Sequence, residues 1–246
     1  MFSFFKKKKI IPHIRLTGVI GSAGRFKQGI DFSGQQEIIK KAFSFKKAKS
    51  IAISINSPGG SPVQSHLIHD YIRQLAEKNK KKVIVFAEDV AASGGYWIAA
   101  PGIRIFAMPN TVTGSIGAYA LLPSLSDALA EYGINTDGVG TTTLAGAMDP
   151  FRPLGADMKS VLEFSLNRTY DRFVNIVGDG RNLSQTEVLA LADGRVWTGK
   201  DAMSHGLIDS FGNLEDAVAS AALLAGLNNY EITRLQVTLT PGEQLM

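Results

Sequence analysis

Residues 90–100 read Val-Ala-Ala-Ser-Gly-Gly-Tyr-Trp-Ile-Ala-Ala and join two kinds of secondary structure. The apolar run before them, Lys82 to Glu88, is typical of a β-strand, and the stretch from Tyr96 onward is apolar and helix-like. A single serine, Ser93, therefore stands where a strand is followed by a helix. Because two glycines come directly after it, the backbone there can turn sharply and approach another chain closely.

The position of Ser93 supports two interpretations. A helix N-terminus offers free N–H groups and the positive end of a dipole, which suits an exposed nucleophilic hydroxyl beside an oxyanion site. Serine is also a favoured N-cap residue, and capping alone would explain its presence. The stretch by itself leaves both interpretations open.

A second glycine turn precedes this one. Residues 50–56 alternate apolar and polar residues, which predicts a strand, and they end in the turn signal Ser-Pro-Gly-Gly-Ser at 57–61. A helix is predicted from Pro62 to Asn79, with the proline in its first turn. Since ligands of parallel α/β sheets bind at the carboxyl ends of strands, we expect the two glycine turns to converge there.

The rest of the chain continues the alternation of strands and helices. This pattern predicts an α/β fold with a mostly parallel sheet and flanking helices. We find no linker or repeat, so we predict a single domain over residues 11–240 after a basic N-terminal segment, 1–10. Further strands are predicted at 10–20, 103–108, 134–139 and 230–239, and further helices at 35–45, 125–132, 157–177, 184–192, 198–204 and 214–225.

The composition limits the classes of protein to consider. With 246 residues, 45% of them hydrophobic, the chain is long enough for one large domain with a core. It contains no cysteine, which excludes a disulfide framework and a thiol nucleophile and fits a cytoplasmic protein. The net charge of +4 comes largely from the clusters Lys6–Lys9 and Lys78–Lys82, and the nearly balanced remainder argues against nucleic-acid binding.

The first residues, Met-Phe-Ser-Phe-Phe and four lysines, are not a signal peptide, because the apolar residues precede the charges. No run approaches the roughly 18 apolar residues that span a bilayer. An aromatic and lysine-rich start is typical of a segment that touches an anionic membrane surface, although one short patch binds weakly. We therefore expect a cytoplasmic protein, with peripheral contact at the inner face of the membrane as the alternative.

Three glycine-flanked motifs occur in order: Ser-Pro-Gly-Gly at 57–60, Ala-Ala-Ser-Gly-Gly-Tyr at 91–96 and Thr-Gly-Ser-Ile-Gly at 113–117. Together they resemble the signal peptide peptidase A (SppA) family, whose members are serine peptidases with a ClpP/crotonase-like α/β fold. The resemblance continues through 149–153, 194–199 and 206–212. No single motif is specific, whereas the three in this order are.

The resemblance implies a role for four residues. Ser93 is the nucleophile, Gly60 and Gly94 supply backbone N–H groups to the oxyanion hole, and Ser115 helps to hold the general-base lysine of a Ser-Lys dyad. A lysine acts as a base when burial lowers its pKa toward neutrality. The resemblance also implies peptide substrates, a homo-oligomer, and no cofactor.

Position 145 departs from the family's pattern. The family's lysine lies five residues before the first proline of the Pro-Phe-Arg-Pro-like stretch, and counting back from Pro150 reaches Ala145. No lysine occurs between Lys82 and Lys159. In this respect the chain is most like the serine-bearing C-terminal half of the long, duplicated members, in which the other half supplies the lysine.

Three explanations of the missing lysine remain open. A lysine-bearing paralogue supplies it in trans within a hetero-oligomer, another group of this chain is the base, or the chain binds peptides without cutting them. The candidate alternative bases are Lys159, Lys200, His66 and His69, all of which are also typical of solvated helix faces. The two histidines are a weak metal pair because no other ligand cluster accompanies them, so no metal is expected.

The sequence therefore predicts a serine endopeptidase of the SppA type that hydrolyses short hydrophobic peptides through Ser93. The alternative is a catalytically inactive subunit that binds peptides or serves assembly. An acyl-CoA enzyme of the crotonase type would share the two-amide oxyanion hole and would need acidic residues near the strand ends, where Glu88 and Asp89 lie. The serine motif argues against that third interpretation.

Overall fold

The computed structural model describes residues 9–21 and 29–236. Most of the predicted basic segment, 1–10, and the end of the predicted domain, 237–240, lie outside these ranges. The strands are β1 (Lys9–Thr17), β2 (Ser50–Ser57), β3 (Lys82–Ala92), β4 (Arg104–Ala107), β5 (Val112–Gly114), β6 (Val196–Thr198), β7 (Ser210–Phe211) and β8 (Tyr230–Leu235). The helices are α1 (Phe32–Ser44), α2 (Pro62–Asn79), α3 (Gly94–Ala99), α4 (Ser126–Glu131), α5 (Ala156–Arg181), α6 (Gln185–Leu191), α7 (Gly199–Ser204) and α8 (Leu214–Leu224).

Local capping chemistry sets several helix boundaries. The Ser61 side chain accepts a hydrogen bond from the backbone N–H of Gln64, so α2 begins at the predicted proline. Helix α1 begins earlier than predicted, because the Asp31 carboxylate accepts from the N–H of Gly34. The capping box predicted from Ser184 and Glu187 is confirmed at the start of α6.

The strands of the described residues form one mostly parallel sheet in the order β6-β5-β3-β2-β1-β8. Strand β4 pairs with the first half of β3 and with β7, and β5 pairs with the second half of β3. The antiparallel pair is β5–β6, and the remaining neighbours are parallel. The carboxyl ends of β2, β3 and β5 therefore lie at the same edge of the sheet.

Both faces of the sheet are covered. On one face, Ile11, Ala52, Ile84 and Phe106 are buried against the alanine-rich side of α8. Successive residues of a strand point to opposite faces. Ile51 and Ile53, which flank Ala52 and therefore point to the other face, are also fully buried. Continuous burial of this kind is typical of a parallel sheet flanked by helices on both sides.

Residues 134–139 do not form the predicted strand; they are exposed and irregular. A strand needs a hydrogen-bonded neighbour, and Ala118–Arg172 contains no strand. The short strands β5 and β6, which the sequence pattern did not predict, exist because each has such a neighbour.

The chain divides into two compact units. The first comprises the sheet and its helices, up to Gly117 and again from Phe173. The second comprises Ala118–Arg172 and holds α4 and most of α5. No residue of this second unit, all of which is described, is buried. Among the described residues, no helix is both long enough and apolar enough to cross a bilayer.

Candidate active site

The two glycine turns meet at the carboxyl edge of the sheet, as predicted. A methyl group built on Gly59 would lie 2.7 Å from the Cβ of Ser93 and 2.8 Å from the backbone nitrogen of Gly94. One built on Gly95 would lie 2.7 Å from the carbonyl oxygen of Ser57. The turn after β2 and the turn after β3 are therefore in van der Waals contact, which requires glycine at both positions.

Ser93 occupies an unusual backbone conformation between β3 and α3. Its φ is 52° and its ψ is −122°, a combination that residues with a side chain rarely adopt. The residue does precede the helix, but its side chain makes no capping hydrogen bond, so capping does not explain the serine. The hydroxyl has no hydrogen-bond partner among the described residues, and the side chain is half-buried.

Ser115 lies beside Ser93 at the end of the neighbouring strand. The register of β3 and β5 pairs Ala92 with Gly114, and the N–H of Ser93 donates to the carbonyl of Gly114 over 2.8 Å. Ser115 therefore follows Gly114 as Ser93 follows Ala92. Its φ of 51° is also positive. Two serines with positive φ thus end adjacent parallel strands.

Two backbone amides stand next to these hydroxyls. Gly60 is held by Ile20, whose N–H donates to Gly59 O over 2.8 Å and whose carbonyl accepts from Ser61 over 2.8 Å. The φ of Gly60 is 145°, and any side chain there would collide with the Ile20 carbonyl. A methyl on Gly94 would lie 3.4 Å from the nitrogen of Gly60, which places the two amides close together.

Within the described residues, the N–H groups of Gly60 and Gly94 donate to no other backbone group. Two unengaged amides beside a free hydroxyl are the arrangement that an oxyanion site requires. Sequence reasoning missed Ser65, whose hydroxyl lies against the Cα of Gly94 and donates to the carbonyl of Ser61 over 2.9 Å. The available signal in the sequence was the position of Ser65 four residues after the capping residue Ser61, where its hydroxyl can reach the Ser61 carbonyl.

Two buried side-chain hydrogen bonds fix the elements that carry the site. Tyr96 is fully buried, and its hydroxyl donates to the carbonyl of Leu207 over 2.7 Å. Burial raises the pKa of Tyr96 far above its usual range, so the phenol stays neutral. Thr113 donates to the carbonyl of Ala91 over 2.7 Å and ties β5 to β3 just before both serines.

The family model for peptidase family S49 matches residues 75–228, which include Ser93, Ser115 and the whole second unit. The chain belongs to peptidase family S49. A model for Clp protease also matches residues 27–113. The resemblance to SppA, predicted from the three glycine motifs, is confirmed.

Curated relatives agree with the S49 assignment. The chain is 39% identical over 199 residues to Protease 4 of Haemophilus influenzae, covering 81% of this chain and 32% of that protein. It is 35% identical over 229 residues to the chloroplastic serine protease SPPA of Arabidopsis thaliana, covering 89% of this chain and 33% of the relative. The chain thus spans about a third of the length of these relatives.

A solved structure confirms the fold class. A ClpP1 variant from Listeria monocytogenes matches with a TM-score of 0.55 over 84% of this chain and 94% of its own. Sequence identity is 16%, so this likeness concerns the fold alone. The predicted ClpP-like α/β architecture is therefore confirmed for this S49 chain.

The two candidate histidine bases, His66 and His69, both contact the carboxylate of Asp70 and not the hydroxyl of Ser93. Nε2 of His66 lies 3.2 Å from one carboxylate oxygen of Asp70, and Nδ1 of His69 lies 3.0 Å from the other. Burial lowers the pKa of His69, and the hydrogen bond with Asp70 opposes this. Among the described residues, these three form the group that could hold a metal, but the contacts of the Asp70 carboxylate with both rings account for their proximity.

The candidate lysine bases also have other surroundings. The exposed Lys159 side chain lies 4.0 Å from Glu163 on the surface of α5. Lys200 is exposed in the first turn of α7. Ala145, the position of the expected lysine, lies in an exposed turn of the second unit, where its N–H donates to Thr142 O over 3.1 Å. Among the described residues, no lysine or histidine hydrogen-bonds to the Ser93 hydroxyl.

The acidic residues near the end of β3 have structural partners. Glu88 accepts from Nε of Arg15 over 2.7 Å in an ion pair across the sheet. Asp89 accepts from the side-chain amide of Asn56 over 2.9 Å, at an irregularity in the β2–β3 register. Both carboxylates are thus used to link strands of the sheet, Glu88 across β2 to β1 and Asp89 to the adjacent β2, which argues further against an acyl-CoA enzyme.

Proposed function

We propose that this chain is a serine endopeptidase of the SppA type that cleaves short hydrophobic peptides, such as signal-peptide remnants. The observation that carries the proposal is the free hydroxyl of Ser93 beside the unengaged amides of Gly60 and Gly94. Membership of family S49 supports it independently.

In the proposed reaction, Oγ of Ser93 attacks the carbonyl carbon of the scissile peptide bond while a base takes the hydroxyl proton. The N–H groups of Gly60 and Gly94 stabilise the negative charge that develops on the carbonyl oxygen. Collapse of this intermediate transfers the proton to the leaving amine and leaves an acyl ester on Ser93. Water, activated by the same base, then hydrolyses the ester.

The base in this proposal is a lysine supplied in trans by a related subunit. Ala145 stands where the family's lysine is expected, and the candidate bases of this chain are otherwise engaged or exposed. Ser115, beside Ser93 in the strand register, would hold the incoming ammonium group and relay its proton. Without the partner, the chain would be a catalytically inactive subunit that binds peptides, which is the alternative stated in the sequence analysis.

The proposal includes a homo-oligomer, or a hetero-oligomer with the lysine-bearing subunit. The second unit supports this, since it buries no residue and exposes many large apolar side chains, a pattern typical of association surfaces. The most exposed are Tyr119, Leu121, Tyr132, Val139 and Phe164. Light scattering should give a mass above that of one chain, and replacement of Leu121 and Tyr132 by lysine should lower it.

We propose a cytoplasmic location with peripheral contact at the inner face of the membrane. The cysteine-free sequence and the lysine-rich start support this. Fractionation of cells should recover part of the protein with membranes and release it at high salt. Recovery that is indifferent to salt would contradict this location.

The first test is labelling with a fluorophosphonate serine probe, followed by mass spectrometry. Labelling of Ser93 in the purified chain, lost in Ser93→Ala, would mean that a group of this chain activates the serine. No labelling until a lysine-bearing relative is added would support supply in trans. Labelling in neither case, with the protein folded, would refute the peptidase and favour the binding subunit.

A second test restores the missing group. Ala145→Lys should raise probe labelling and peptide hydrolysis, and Thr143→Lys, a nearby exposed turn position, is the matched control. Equal effects of the two changes would contradict the assignment of position 145. Ser115→Ala in the Ala145→Lys background should remove most of the gain.

A further inference from the structure

The amino-terminal edge of the sheet, opposite the candidate active site, collects lysines from three chain segments. Strand β1 enters at this edge, and the turns that precede β2 and β3 lie beside it, since β1, β2 and β3 are parallel neighbours. The exposed lysines of this lysine-rich edge are Lys9, Lys46, Lys47, Lys49, Lys78, Lys80 and Lys82.

A further lysine fastens two of these segments together. Nζ of Lys81 donates to the carbonyls of Phe43 and Phe45 over 2.7 and 2.8 Å, and burial lowers the pKa of this lysine. In addition, the N–H of Lys82 donates to the carbonyl of Lys49 over 3.0 Å. The two lysine-bearing turns are therefore held in fixed proximity.

The charge on this edge is not neutralised within the described residues. None of its lysines forms an ion pair there. The lysines outnumber the acidic groups at this edge, which among the described residues are Glu77, Asp179 and Glu231. The whole chain has a formal net charge of only +4, so the chain without these lysines is net negative. Positive charge is thus concentrated at one end of the sheet.

Apolar groups accompany the lysines. Ile103, in the turn before β4, is 50% exposed, and Leu223, near the end of α8, is 74% exposed. The N–H of Ile103 donates to the carbonyl of Val83 over 2.9 Å, which places it beside Lys82. Cationic groups mixed with exposed apolar ones are characteristic of surfaces that bind the headgroup region of a bilayer.

We infer that the lysine-rich edge is a binding surface for an anionic lipid bilayer. Seven exposed cations of this edge are lysines, flexible point charges suited to diffuse attraction. Its two exposed arginines are engaged within the fold, Arg73 with Glu77 at 3.3 Å and Arg104 with the Ser220 hydroxyl at 3.3 Å, whereas nucleic-acid recognition favours a free arginine fork. Strand β3 runs from Lys82 toward Ser93, and at roughly 3.3 Å a residue the candidate active site lies about 35 Å from the bound surface. The inference goes beyond the peptidase proposal and does not depend on it.

The test is sedimentation with mixed phosphatidylcholine and phosphatidylserine vesicles, using the full chain at about 0.1 M salt. Lys82→Glu should weaken partitioning roughly thirtyfold, because it changes two charges near an anionic surface. Lys200→Glu changes the net charge equally at an exposed position of α7, near the carboxyl end of β4, and should weaken partitioning less than about threefold. Adding Lys47→Glu and Lys49→Glu to the first variant should abolish sedimentation.

Three outcomes would overturn the inference. Equal effects of Lys82→Glu and Lys200→Glu would mean that net charge alone matters. Loss of binding on deletion of residues 1–8, with Lys82→Glu binding normally, would assign the contact to that segment. Tighter binding to duplex DNA than to vesicles at the same salt would identify a nucleic-acid surface. Ser93→Ala should sediment like the unchanged chain, so failure here and failure of the peptidase proposal are distinguishable.

Discussion

Replacement of Ser93 by glycine should stabilise the protein relative to replacement by alanine. Both changes remove the hydroxyl, but alanine keeps the Cβ in a conformation with φ of 52° and ψ of −122°. A residue with a side chain held in such a region costs about 1–3 kcal/mol. Glycine relieves this strain and loses about 0.5–1 kcal/mol more in chain entropy on folding. The expected net gain is about 1 kcal/mol.

The assay is urea unfolding of the two variants, with thermal unfolding alongside. A difference of about 1 kcal/mol corresponds to roughly 2–4 °C in the midpoint for a chain of this size. Protein concentration must be equal in both samples, since association would shift both midpoints. The m-values should match, which would show that the difference lies in stability rather than in the extent of unfolding.

Ser50 provides the control for this comparison. It is fully buried at the start of β2, and glycine weakens an ordinary strand position. There the order should reverse, with Ser50→Gly less stable than Ser50→Ala. If Ser93→Gly is also less stable than Ser93→Ala, the backbone of Ser93 is not strained, contrary to what its φ and ψ indicate.

Three other changes test the surroundings of the site. Gly94→Ala should cost about 1–3 kcal/mol by overpacking against Ser65, and adding Ser65→Ala should recover part of this in urea unfolding. Since burial lowers the native pKa of His69 below the unfolded value near 6.5, stability should fall as pH drops through about 6.5, and less steeply in His69→Asn. Tyr96→Phe leaves the Leu207 carbonyl unpaired and should cost about 1–3 kcal/mol, with no change in labelling of Ser93.

The elements that local signals specify were predicted well. Helix α2 has the predicted bounds, and the residues that mark its start, Ser61 as cap and Pro62 in the first turn, are recognisable in the sequence itself. Strands β5 and β6 were missed because three residues carry no detectable periodicity and depend on a neighbour. Residues 134–139 show the reverse case, a strand-like pattern with no neighbour to pair with.

In the candidate site, too, the features with a local sequence signal were predicted and those that depend on distant contacts were not. The two glycines after Ser93 predicted a sharp turn, because glycine is the residue that a tight backbone turn selects and it can be recognised in the sequence. The contact of that turn with Gly59 follows only from β3 lying beside β2. The role of Asp70 as partner of both His66 and His69 depends on side-chain rotamers, which no spacing rule conveys.

The second unit, residues 118–172, has a consequence for local unfolding. A segment without a buried side chain gains little hydrophobic free energy to offset the entropy of ordering its backbone. Its amides should therefore exchange with deuterated solvent long before those of β3, whose Ile84, Val85 and Ala87 are buried. If partner chains cover these residues, the exchange should slow as protein concentration rises, and peptidase activity per chain should rise over the same range.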